Sequence, residues 1–208
     1  MSQFHFDILN KEQKEFFEKL KVFNKEAILS GGTALSLQIK HRHSYDFDLF
    51  FGEELDRSLI VKARKAVKIK EVGLNTKKQI NLITASDILI NLVNYPFKPL
   101  FKTRPTFSLP LLSVKDIAAD KAYTVGRRAT WRDYVDIFFL IKNNHIDLGD
   151  ISKLASRKFG PEFNERLFLE QLVYFKDMEV TKISFVEKKY SDGEIKDFLE
   201  EEVKKIKI

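Results

Sequence analysis

The chain of 208 residues carries 36 Lys and Arg against 30 Asp and Glu, a formal charge of +6, and 44% of it is hydrophobic, with 19 phenylalanines. That much apolar matter supports a real core and argues against wholesale disorder, while the modest positive excess permits a nucleic-acid or polyphosphate partner without requiring one. Cysteine is absent, which excludes disulfides, thiolate metal sites and cysteine nucleophiles. No apolar run approaches the ~20 residues of a membrane span. The start, MSQFHFDILNKEQKEFF, lacks the basic and apolar regions of a signal peptide, so a soluble, cytoplasmic protein is expected.

In chain order, NKEQKEFFEKLKVF (10–23) places Phe16, Phe17, Leu20 and Phe23 at helical spacing behind Asn10 as a cap. AILS (27–30) reads as a short buried strand ending at Gly31-Gly32, and TALSLQIK (33–40) as a short helix opened by Thr33. DFDLFF (46–51) reads as a strand with Phe47 and Leu49 on one side and Asp46, Asp48 and Phe50 on the other. LDRSLIVKARKAV (55–67) reads as a helix, 68–94 as two or three strands with ILINLVNY the clearest, and Pro96, Pro99, Pro105 and Pro110 break the chain. From Ser113 the pattern turns helical. SVKDIAADKAYTVGRR and TWRDYVDIFFLIKNN open like capping boxes, Ser113 with Asp116 and Thr130 with Asp133. Two further helices are expected near 150–158 and 162–176, and a last one after Ser191 with Ile195, Phe198, Leu199 and Val203 as its apolar stripe. The layout is α+β, divided into residues 1–111 and an all-helical 112–208.

The chemistry gathers in SGGTALSLQIKHRHSYDFDLF (30–50). Carboxylates at i and i+2 of a strand project from one face, roughly 6–7 Å apart. Like charges that close repel unless a cation neutralises them, and a hard divalent ion such as Mg²⁺ suits oxygen ligands. A strand–Gly-Gly–helix junction lets the backbone approach closely and aims free N–H groups at an anion. Phosphates on the turn and metal on the acids would position a nucleoside triphosphate for attack at phosphorus.

Ser30-Gly31-Gly32, thirteen intervening residues, then Asp46-Phe47-Asp48 resembles the polymerase-beta-like nucleotidyltransferase superfamily, whose signature has an apolar residue where Ser30 stands. RHSYDFDLF, the Lys121…Arg127-Arg128…Arg132-Asp133…Asp136 run, VNYPFKPL and LFLEQLVYFKD are similar in order to segments of the AbiEii-type toxin nucleotidyltransferases. The resemblance implies a mixed-sheet nucleotidyltransferase lobe with flanking helices followed by a helical lobe. It also implies transfer of a nucleotide from an NTP, with Mg²⁺ (Mn²⁺ as an alternative), to an RNA acceptor, notably tRNA, or to a protein, and a cognate antitoxin as partner. By the same resemblance Gly31, Gly32 and Thr33 hold phosphates, aided by Arg42 and Ser44. Asp46 and Asp48 bind metal and are catalytic with Lys121, which contacts nucleotide phosphates assisted by Arg128. Asp133 and Asp136 match the last acidic pair, although Asp133 also suits the capping box and Asp136 an i+4 pairing with Arg132.

One departure stands out. The superfamily's third carboxylate falls at Asn91 in ILINLVNYPF, and an amide has no negative charge and cannot act as a base near neutral pH. Asp87, four residues earlier on the strand, lies roughly 13 Å away along it. A weak, nucleotide- or RNA-binding member of the fold is therefore the second expectation. His41-x-His43 meets no three-ligand zinc pattern, and Trp131 is expected to pack rather than to stack on a base.

Overall fold

The structure is a computed structural model that describes residues 4–128 and 130–206. The chain divides into two compact units, Met1–Ser113 and Val114–Ile208. Among the described residues no helix is long and apolar enough to cross a membrane.

In the first unit, α1 (Lys11–Lys19) starts at Asn10, whose side chain accepts from the Gln13 N–H while the Gln13 side chain returns to the Asn10 N–H. β1 (Ala27–Ser30) leads into α2 (Gly31–Ile39), then β2 (Phe47–Phe51), α3 (Arg57–Ala66) and three strands, β3 (Ile69–Asn75), β4 (Gln79–Thr84) and β5 (Leu89–Asn94). The sheet order is β1-β2-β5-β4-β3. β2 and β5 are parallel, and the other neighbouring pairs are antiparallel. The open edge of β1 is covered by residues 110–112: the Leu29 N–H donates to the Pro110 carbonyl at 2.9 Å and the Leu112 N–H to the Leu29 carbonyl at 2.9 Å, which removes a free strand edge.

Alternation sets the two faces of this sheet. Leu29, Phe47, Leu49, Ile80, Leu82, Ile90 and Leu92 are buried on one face. Phe16 meets the Phe47 ring edge-on at 5.0 Å and Phe23 meets Phe51 at 6.0 Å, so these four phenylalanines are core. On the other face Asp48, Phe50, Asn81 and Asn91 are half-buried. Phe50 there stacks on Tyr95 at 4.2 Å.

Three expectations need correction in this unit. α2 begins at Gly31, with Ser30 in the cap position, rather than at Thr33. The Thr33 hydroxyl donates instead to the Asp46 carbonyl, so it cannot cap the helix. β2 starts at Phe47, one residue after Asp46. Asp87 lies outside β5, in a turn with φ of 56°, and its carboxylate pairs with Lys70 at 2.7 Å.

The second unit holds α4 (Val114–Arg128), α5 (Trp131–Lys142), α6 (Leu148–Phe159), α7 (Glu165–Leu172) and α8 (Asp192–Lys205). α6 is longer than expected because Asp147 caps it, accepting from the Asp150 N–H at 2.7 Å. α7 is shorter than expected: it starts behind Asn164, which accepts from the Leu167 N–H at 3.0 Å, and stops at Leu172. The Ser191–Glu194 capping box forms as expected, and Ile195 and Leu199 of α8 are buried. Trp131 is fully buried and stacks on Tyr134 at 6.0 Å.

α4 also carries charge into this core. Lys158 Nζ lies 3.3 Å from Asp116 and 2.6 Å from Asp120, with its side chain fully covered. Lys121 Nζ lies 2.7 Å from Asp133 and 2.6 Å from Asp136.

Candidate active site

The turn from β1 to α2 is the centre of the site in the first unit. Gly31 has φ of 69°, a region that side chains rarely enter. A Cβ there would stand 2.0 Å from Asp48 Oδ2, so the carboxylate rests directly against the glycine backbone. Gly32 has the same closeness to another group: a Cβ would lie 2.5 Å from Arg42 Nη2 and 3.0 Å from Ser44 Oγ. The diglycine is thus held between an acid on one side and a guanidinium and hydroxyl on the other. The first residues of α2 contribute the unpaired N–H groups and positive dipole end that favour an anion.

The loop carrying Arg42 and Ser44 is fixed from outside. Gln13 Nε2 donates to the Ser44 carbonyl at 3.0 Å, and the His43 ring Nδ1 lies 3.2 Å from the Ile8 carbonyl. Arg42 is buried and its Nη1 donates to the His43 carbonyl at 3.1 Å. The Thr33 hydroxyl donates to the Asp46 carbonyl and so ties the Asp46 backbone to the first turn of α2.

Cross-strand register places Ser30 opposite Asp48, Asp48 beside Asn91, and Asn91 opposite Asn81. Partners in register share a face. Asn91 Nδ2 donates to Asp48 Oδ1 at 2.8 Å, and Asn81 Nδ2 donates to Asn91 Oδ1 at 3.1 Å. The residue at the third-carboxylate position is therefore adjacent to Asp48 and turns its amide N–H toward it, because an ionised carboxylate only accepts. Sequence reasoning named Asn91 but gave no part to Asn81. A lone Asn in the alternating QINLIT strand was the available signal, since Asn is depleted in strands.

Among the described residues no cluster of three or more His, Cys, Asp or Glu is placed to hold a metal. The donor set at Asp46 and Asp48 still fits Mg²⁺, which commonly binds through one or two carboxylates and takes its remaining ligands from water and phosphate.

Ser30 gives a stability test of this corner. Its hydroxyl is buried, makes no cap bond to α2 and has no hydrogen-bond partner. Ser30→Ala is expected to raise stability by about 1 kcal/mol in urea unfolding, since it removes an unsatisfied buried group; a loss of that size would mean the hydroxyl is engaged.

In the second unit Asp133 forms the capping box the sequence suggested and adds an ion pair that it did not. Its Oδ2 accepts from the Thr130 N–H at 2.8 Å and the Thr130 hydroxyl at 2.9 Å, while its Oδ1 takes Lys121. Burial pushes the Asp133 carboxyl up, but Lys121 and these hydrogen bonds outweigh it and hold it below 3.8. Lys121 is buried between Asp133 and Asp136, whereas Arg128, seven residues on along α4, is exposed.

Comparisons with known proteins place the chain in a family. Residues 67–205 match the model of the Nucleotidyl transferase AbiEii toxin family, type IV toxin–antitoxin system. That match spans most of the chain, and the protein belongs to this family of nucleotidyltransferases. An uncharacterized protein of Aquifex aeolicus is 28% identical over 201 residues, covering 94% of this chain and 96% of its own length. MenT4, a nucleotidyltransferase toxin of Mycobacterium tuberculosis, shares the fold with a TM-score of 0.58 at 14% identity, over 95% of this chain and 87% of that one. JHP933 of Helicobacter pylori does so with a TM-score of 0.52 at 14% identity, over 98% and 96% of the two chains. The mixed sheet with flanking helices and the helical second unit are the architecture the sequence led us to expect.

Proposed function

We propose that the protein transfers a nucleotide from an NTP to the end of an RNA, with tRNA the first candidate and a protein acceptor the second, in a Mg²⁺-dependent reaction. The observation that carries this reading is the seat of Asp48 against Gly31 at the head of α2, which brings carboxylate and anion-binding backbone to one corner. Asp46 and Asp48 would hold the metal, which when bound supplies charge neutralisation on the phosphates. The α2 N–H groups and Arg42 would orient the triphosphate tail. An acceptor hydroxyl then forms a bond to the α-phosphorus as the bond to the β-phosphate oxygen breaks, releasing pyrophosphate and a proton.

RNA as acceptor is supported by the charge distribution. Residues 1–113 carry 18 Lys and Arg against 12 Asp and Glu, while residues 114–208 carry 18 of each. The whole excess thus lies in the unit with the diglycine turn, where a polyanion would be attracted. Arg128, exposed at the end of α4, suits phosphate or RNA contact better than Lys121, whose ammonium already faces two carboxylates. Membership of a type IV toxin–antitoxin family motivates a cognate antitoxin as biological partner.

A second reading, a member that binds nucleotide or RNA with little transfer, is favoured by one observation: Asn91 sits beside Asp48 where a base and metal ligand would be needed. Incubation with each labelled NTP, Mg²⁺ and total RNA separates the two. Label on RNA from the native protein, abolished in Asp46→Ala/Asp48→Ala, is the expected result. Nucleotide binding without label on RNA or protein would favour the second reading, and a rate gain in Asn91→Asp would locate the deficit there.

A further inference from the structure

The Asn81–Asn91–Asp48 chain has a polarity that one residue sets. Asn91 must present its N–H₂ to Asp48 Oδ1, and its own carbonyl then needs a donor on the far side. Asn81 supplies that donor at 3.1 Å. Reversal of the Asn91 amide would set a carbonyl against a carboxylate and an N–H₂ against an N–H₂, so the pair admits one orientation. The chain crosses three adjacent strands, β4, β5 and β2, at matched register positions, on rigid elements rather than loops. Its far end is incomplete: Asn81 Oδ1 is buried without a hydrogen bond. A buried unsatisfied amide destabilises the fold, and an apolar residue of similar size would avoid it. The half-buried face of β4 accepts apolar side chains, as Ile83 shows two residues on.

We infer that Asn81 is a positioning residue, acting through Asn91 to fix the Asp48 carboxylate for metal binding and transfer. The inference rests on the reading of Asp48 as a metal-binding group. Asn81 touches neither Asp48 nor any reacting atom; its effect passes through the orientation of one amide. That separates it from the family's acidic set and gives the neutral residue at position 91 a defined task, as a donor that holds Asp48.

The test is a double-mutant cycle with Asn81→Leu and Asn91→Ala, read in three ways: thermal melting, Mn²⁺ affinity by calorimetry, and transfer kinetics. Asn81→Leu is expected to melt close to the native temperature, since it removes the unsatisfied Asn81 oxygen while freeing the Asn91 one, yet to weaken Mn²⁺ binding and kcat by about tenfold, as loss of a supporting hydrogen bond behind a metal ligand does, with the NTP KM little changed. In the Asn91→Ala background the same substitution is expected to have no further effect on metal affinity or kcat, since the path through Asn91 is gone. Asn81→Asp, whose carboxylate cannot donate, is expected to be worse than Asn81→Leu. Native metal affinity and kcat in Asn81→Leu, or effects that add across the cycle, overturn the inference. If Asp48→Ala also leaves Mn²⁺ binding and transfer intact, the reading of Asp48 fails instead; dependence on Asp48 with indifference to Asn81 sinks this inference alone.

Discussion

Gly31→Ala is expected to be among the most damaging single substitutions in the first unit. It adds two separate penalties. Alanine at φ of 69° is strained by roughly 1 kcal/mol or more, and the new methyl would sit 2.0 Å from Asp48 Oδ2. Asp48 cannot swing away without breaking its bond to Asn91, so the clash is relieved by backbone movement, at a further ~1–3 kcal/mol. A loss of about 2–4 kcal/mol lowers Tm on the order of 10 °C or more for a unit of this size, and transfer is expected to vanish with it because Asp48 is displaced. Gly32→Ala is the informative contrast. Its Cβ would meet Arg42 Nη2 at 2.5 Å and Ser44 Oγ at 3.0 Å, ends of side chains rather than backbone, and its φ lies outside the left-handed region. Stability there should fall by less than half as much while nucleotide affinity falls. A Gly31→Ala protein that melts with the native one would remove the basis for seating Asp48 on the turn.

The second large effect is expected at Lys121. Its ammonium is enclosed by Asp133 and Asp136, with 11% of the side chain exposed. Lys121→Met leaves two buried carboxylates facing one another, and removal of one partner from a buried ion pair costs about 3–5 kcal/mol. The triple variant Lys121→Met/Asp133→Asn/Asp136→Asn is expected to recover most of that loss, because the charges leave together. Unfolding by urea, followed across pH, provides the check. The Asp133 carboxyl is held below its ordinary 3.8 in the folded protein. Its contribution is therefore fully present above that value and is lost as pH falls through the lower, folded-state pKa. The native protein should lose this stability as pH falls below about 4, and the triple variant should lose less. An unaltered melting temperature for Lys121→Met would overturn the charge-balance role.

How far the sequence alone could be read follows from what leaves a local mark. Gly31-Gly32, the alternation around Asp48 and the capping boxes at Thr130 and Ser191 are short-range features, and the structure has them where residue patterns put them. The α2 boundary slipped because the hydroxyl of Thr33 has two possible partners, and the one it takes, the Asp46 carbonyl, is thirteen residues away. The Asn81–Asn91 contact was out of reach for a stronger reason. It depends on β5 lying between β2 and β4, which is a matter of topology and register and not of any spacing in the chain. The ion pairs of Lys121 were hidden in the same way: its partners lie on the next helix, and one of them, Asp133, was already accounted for by its cap.

The burial of Trp131 has a practical consequence for every unfolding measurement proposed above. It is the single tryptophan of the chain, and its ring is enclosed by Tyr134 and Phe175 inside the second unit. Indole emission excited at long wavelength therefore reports on the helices around Trp131. Circular dichroism or a tryptophan introduced into the first unit has to be recorded beside it to follow the sheet that carries Asp48.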